Sequence, residues 1–258
     1  MRGKSITFAH FKGGTGKTTS CLNIAGYLYQ DGKKVLVVDF DPQGNATSGL
    51  GIDKNMLDSS MSDVITGEKD IKEIIVETES GIHVAPANLD LMKTESYLYD
   101  AKNRAFVLRS VIRRVKDYYD YILIDTPPRP WLFIINGIVA SDTIFVSLDP
   151  GIFALEGIED LNAVFDALND VVSFEVKPSI GILTRCVKHS LSSRILRKNN
   201  PVKEIKAEAE NFFEKVFLIP YSEEVYNSQM KGLPLSSYAS NCDAGRAYKE
   251  IVEVLENV

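Results

Sequence analysis

At 258 residues, 45 % hydrophobic and 25 % charged, the chain has the make-up of an ordinary folded protein that needs no disulfide or metal staples. No apolar run approaches the ~18 residues that cross a bilayer, and a formal charge of −6 gives no global attraction for nucleic acid, so any such contact must be a local patch. Cys21, Cys186 and Cys242 lie far apart with no C-x-x-C spacing, which argues against a disulfide framework or a zinc site and fits a reducing cytosol.

In chain order, Ser5–His10 reads as a short apolar strand and Lys17–Gln30 as a helix, with Cys21, Leu22, Ala25, Leu28 and Tyr29 at helical spacing. Val35–Phe40 is a continuous apolar strand of the kind buried on both faces of a parallel sheet. A polar, less regular stretch runs to about Ser80 and is followed by a short strand, Ile82–Ala85. A long helix is predicted over Thr94–Tyr119, then strands at Tyr121–Asp125, Thr143–Leu148 and Ser179–Thr184. Helices are expected over Phe153–Val171 and Asn200–Phe213, a last strand over Val216–Ile219, and two helices beyond it. This alternation predicts an α/β fold across 1–258, one domain built on a doubly wound, mostly parallel sheet with helices on both faces.

Between the first strand and the first helix stands Phe11-Lys12-Gly13-Gly14-Thr15-Gly16-Lys17-Thr18-Thr19. Glycines let backbone N–H groups approach a polyphosphate, and the helix that follows turns its positive end to the same anion. Lys17 reaches β- and γ-phosphates, and the Thr18 hydroxyl suits Mg²⁺. Phe11 stands where the strict phosphate-loop pattern has glycine, and Lys12 is a second lysine inside the loop. In such a sheet ligands bind at the carboxyl ends of the strands, where Asp39, Asp41 and Asp125 also fall. One carboxylate would hold the hydration shell of the metal and another would orient attacking water.

Three segments resemble the deviant Walker A, A′ and Walker B motifs of ParA-type partition ATPases: Lys12 to Thr19, Val38-Asp39-Phe40-Asp41-Pro42-Gln43-Gly44-Asn45, and Ile124-Asp125-Thr126-Pro127-Pro128. Ala154-Leu155-Glu156-Gly157 and the tail Ile219-Pro220 with Gly232-Leu233-Pro234 resemble later segments of that family. The resemblance implies an ATP- and Mg²⁺-dependent ATPase, slow alone and stimulated by a partner such as a ParB-like centromere-binding protein. Lys12 would reach across an ATP-bound homodimer to the partner subunit's phosphates. Lys17 and Thr18 would serve in cis, Asp41 would position water, Asp39 and Asp125 would act on Mg²⁺ through water, and the loop after Asp125 would be a switch sensing the γ-phosphate. Gly13, Gly14, Thr15, Gly16 and Thr19 would complete the phosphate cradle, and Thr184-Arg185 and Pro220-Tyr221 would line the adenine.

The family also implies non-specific DNA binding. Arg185, Lys188, Arg194, Arg197 and Lys198 form a basic cluster suited to phosphates, joined by His189, Lys203 and Lys206, although Glu223-Glu224 after Tyr221 would repel them. The rival readings are a MinD-like or other cargo-positioning ATPase acting on a membrane or protein array, an iron protein with paired cysteines, and a metabolic ligase or kinase. The tail Tyr248–Glu256 is amphipathic but acidic, which argues against a lipid anchor and for a cytoplasmic protein. His10 and His83 suggest only strand packing, and Trp131 reads first as a core residue, with packing on a switch loop or anchoring a partner as the other readings.

Overall fold

The computed structural model describes residues 3–151, 154–170, 172, 178–187 and 201–256. An eight-stranded sheet runs through it in the order β3-β4-β2-β5-β1-β6-β7-β8. The strands are β1 Lys4–Ala9, β2 Val35–Asp39, β3 Val76–Glu77, β4 His83–Ala85, β5 Tyr121–Asp125, β6 Thr143–Leu148, β7 Ile180–Cys186 and β8 Lys215–Pro220. Every pairing is parallel except the edge strand β3, which lies antiparallel to β4. The doubly wound α/β expectation is met.

The centre of the sheet is the most apolar part of the chain. β2 and β5 are buried along their whole length, because helices cover both faces of a parallel sheet. Val35 and Val37, with Tyr121 and Leu123, join the core beneath helix α1 (Lys17–Gln30), whereas Leu36, Val38, Ile122 and Ile124 join the opposite core. By the same alternation Asp39 and Asp125, paired in register at the ends of these strands, face α1. β1 lies on the other side of β5, with Phe8 opposite Asp125. The strand feeding the phosphate loop is thus flanked by the strand that ends in an acid.

Several elements differ from expectation. The irregular stretch before Ser80 holds helices α2 Asn45–Gly49, α3 Met61–Thr66 and α4 Ile71–Ile74, besides β3. The last two helices are opened by reciprocal caps, Ser60 with Asp63 and Asp70 with Glu73. The long helix predicted over Thr94–Tyr119 is broken into α5 Thr94–Asp100, a 3-10 turn Arg104–Phe106 and α6 Val107–Ile112. Its cause lies elsewhere in the chain. Buried Asn136 donates to the Arg104 carbonyl (2.8 Å) and accepts from the Leu108 amide (3.1 Å), capping the new start. Asn136 belongs to an unforeseen helix, α7 Trp131–Ala140.

Beyond β6, helices α8 Ala154–Asn169 and α9 Pro201–Ala209 follow. Three helices close the described chain where two were expected: α10 Glu223–Met230, α11 Leu235–Tyr238 and α12 Asp243–Glu256. Pro234, which cannot continue a helix, separates the first two, and the Asn23 side chain accepts the Leu235 amide at 2.8 Å. In α12, Tyr248, Ile251, Val252 and Leu255 are buried against the sheet and α1. No helix among the described residues is long and apolar enough to cross a membrane.

Candidate functional site

The phosphate loop leaves β1 at His10, which does more than pack. Its Nδ1 accepts the Lys12 amide at 2.9 Å, so Nε2 carries the ring proton and the loop turns around the imidazole. Burial first, then the charges of Lys17 and Lys12, push its pKa down to about 4. This lies below the 6.5 of the free side chain, so the unfolded chain binds the extra proton. Its contribution to stability is intact above about pH 6.5 and falls as pH drops towards 4, by at most about 1.4 kcal/mol per unit. The expected outcome is a His10 ring signal that does not titrate by NMR above about pH 5.5; a midpoint near the ordinary 6.5 would refute it.

Gly16 caps α1 with φ 91°, and a Cβ there would lie 2.8 Å from Thr184 Cγ2. Only glycine satisfies both constraints. Thr184 Oγ1 donates to the Thr15 carbonyl at 2.9 Å. Next to it Arg185, the one described non-glycine residue with positive φ (56°), donates from Nη2 to the Gly14 carbonyl and to Asp149, both at 2.8 Å. These two residues strap the loop to the ends of β6 and β7. The Arg185 guanidinium is therefore engaged at the loop, although sequence placed it both near the base and in the basic cluster.

Lys17 is buried, its Nζ 3.4 Å from the Lys12 carbonyl. Burial lowers its pKa, and Asp125 and then Asp41 oppose that. Thr18 Oγ1 donates to Asp125 Oδ2 at 2.6 Å. Asp125 Oδ1 is buried with no hydrogen-bond partner. Burial and the neighbouring Asp39 push the Asp125 carboxyl well up, with the Thr18 bond pulling against them. A hydroxyl beside a carboxylate with one orphaned oxygen fits a hard divalent cation that keeps most of its water. Among the described residues no group of three or more His, Cys, Asp or Glu could hold a metal by itself.

Asp39 is tied more tightly than a metal ligand needs to be. Its Oδ2 accepts the Thr47 amide and hydroxyl, each at 2.7 Å, and Oδ1 accepts the Asp41 amide at 3.2 Å. Burial raises its carboxyl to about 7 against those bonds. Its visible work is to shape the turn that carries Asp41. Asp41 is buried too, one oxygen accepting the Gln43 amide at 2.9 Å, and burial raises its carboxyl while Lys17 and Lys54 lower it.

A cavity of about 550 Å³ opens above these groups. Gly13 through Thr19, Asp41, Thr184, Arg185, Pro220 and Tyr221 all line it, so the residues expected at phosphate and base share one space. Lys12 is exposed on the outer side of the loop. Asp39 and Asp125 lie beneath the floor, fully buried. Lys188, His189, Arg194, Arg197 and Lys198 lie outside the described residues. Tyr226 and Gln229 of α10, also in the lining, were missed. Nothing local in the sequence marks them, since only the fold brings Gln229 Nε2 to within 2.9 Å of Thr19 Oγ1. Trp131 is a correction: 46 % exposed, it stacks on Phe11 instead of lying in the core.

A parallel sheet whose first strand feeds a glycine loop and a helix N-terminus, with an acid ending the next strand, defines a P-loop NTPase. The family model described as AAA domain matches residues 3–181. Chromosome-partitioning ATPase Soj of Treponema pallidum is 34 % identical over 256 residues, spanning 96 % of this chain and 95 % of that one. Sporulation initiation inhibitor protein Soj of Bacillus subtilis is 32 % identical over 254 residues, with 97 % of each covered. In fold, the chain is similar to McdA of Cyanothece solved with ATP, at TM-score 0.83 and 22 % identity, covering 100 % of this chain and 97 % of that one. The chain belongs to the ParA-type partition ATPases.

Proposed function

We propose that this ATPase requires Mg²⁺, dimerises across bound ATP through a deviant Walker A loop, binds DNA without sequence preference and partitions a plasmid or chromosome when a ParB-like protein stimulates hydrolysis. The observation that carries the reading is the arrangement around Lys17: a buried ammonium facing Asp41 and Asp125 at the mouth of a helix N-terminus, with Thr18 bonded to Asp125. Lys17 and the loop amides hold the β- and γ-phosphates, and Asp41 aligns water against the terminal one. Thr18 and Asp125 would hold Mg²⁺, which would supply charge neutralisation for the phosphate oxygens. Lys12, exposed at the edge of the loop, is the residue that a second copy's phosphates would meet.

A membrane-acting role would need a lipid-facing apolar surface. The apolar face of α12 is already buried, and its outer face carries Glu250, Glu253 and Glu256. A mobility-shift assay on random duplex with ATP, ADP or no nucleotide tests the proposal; equal retention in all three states would remove the nucleotide-gated DNA step. Neutralising Arg194, Arg197 and Lys198 together is expected to weaken retention and to flatten the log–log salt dependence by up to about three, close to one per lost phosphate contact. An unchanged slope would take these residues out of the DNA interface.

A further inference from the structure

From the end of β5 to the start of α7 the chain reads Thr126-Pro127-Pro128-Arg129-Pro130, three prolines in five residues. Proline fixes φ at three of these positions, which limits the shapes the segment can take, and the chain bends at Pro128 and Arg129. It is rooted at Asp125, which Thr18 of α1 holds. It meets the phosphate loop twice. Pro128 lines the cavity beside Gly13, whose added Cβ would sit 3.8 Å from Pro128 Cγ. At the far end Trp131 stacks on Phe11, with ring centroids 4.6 Å apart and planes inclined by 26°. Phe11 is itself packed on the core formed by Ile134, Ile138 and their neighbours.

Burial does not account for this arrangement. The only tryptophan of the chain is almost half exposed, and its indole lies against the first residue of the phosphate loop. The segment therefore touches the phosphate loop at Gly13 and, through Trp131 just beyond it, at the aromatic ring that begins the same loop. Displacing Pro128 would disturb that stack, three residues further on.

We propose that Trp131, through its stack on Phe11, is a positioning residue that sets segment 126–130 against the phosphate loop and so tunes discrimination between a nucleoside triphosphate and a diphosphate. This rests on the ATPase reading above. The terminal phosphate is the part of the ligand whose presence changes between the two states, and Lys17, Gly13 and Pro128 all line the cavity that would hold it.

The test uses calorimetry with Mg-ATPγS and Mg-ADP on the wild type, Trp131→Phe, Trp131→Ala and Phe11→Leu, with circular dichroism to confirm folding. Trp131→Ala and Phe11→Leu are expected to change the ratio of the two affinities about three- to tenfold, the range an aromatic pair commands. Trp131→Phe keeps a stacking ring and should stay within about twofold of wild type. Tryptophan emission of the wild type should differ between the two complexes. Unchanged ratios in both disruptive variants, with identical emission in the two complexes, would overturn the proposal while leaving the ATPase reading intact. A wild type that takes up neither nucleotide would end the ATPase reading, and this coupling with it.

Discussion

Lys17→Ala is expected to abolish nucleotide binding, lowering affinity at least about a hundredfold, because charge-assisted bonds to two phosphates disappear together. The environment makes the loss larger than that of a surface lysine. Lys17 is buried and feels both Asp125 and Asp41, so without it a polyphosphate would approach two buried carboxyls that have lost a neighbouring cation. Leaving buried charge uncompensated is among the costliest changes a site can suffer. Calorimetry with Mg-ATP, alongside a steady-state phosphate-release assay, checks this outcome. Turnover at the wild-type rate in the variant would contradict the role assigned to the residue.

Asp41→Ala should separate binding from chemistry. Hydrolysis is expected to fall about 10²- to 10⁴-fold, the usual worth of a positioned proton acceptor, while ATP still binds. Asp41 lines the cavity, and one oxygen merely accepts the Gln43 amide, so its removal leaves the loop amides and Lys17 in place. Burial raises its carboxyl, against the Gln43 amide and the charges of Lys17 and Lys54, which makes the ionised form a better base than a surface aspartate. With ATP and Mg²⁺ the variant should run as a dimer in gel filtration. A monomer under those conditions would count against the sandwich arrangement.

Much of this was readable from the chain because the relevant signals are local. Val35 to Val38 and Tyr121 to Ile124 are apolar on both faces, a pattern that in an alternating chain points to central parallel strands. The loop from Lys12 to Thr19 carries its chemistry in consecutive residues. Other features were opaque because their cause is distant in sequence. Thr94–Tyr119 has helical spacing throughout, and the break comes from an asparagine on another helix. His10 looked like a strand residue, since nothing in its neighbours reveals that its ring nitrogen accepts a backbone amide two positions on. Tyr226 and Gln229 reach the cavity from α10, more than 200 residues beyond the loop they face. The caps at Ser60 and Asp70, each with an acid three residues on, were missed because they sit in a stretch without hydrophobic period.

Hydrogen bonds tie α1 to the last described helices and the turn between them. Ser20 Oγ lies 3.2 Å from the Tyr248 hydroxyl, and Tyr248 also lines the cavity. The cavity is therefore walled by the first and the last described helices together, and a change that loosens the packing of either one alters its shape.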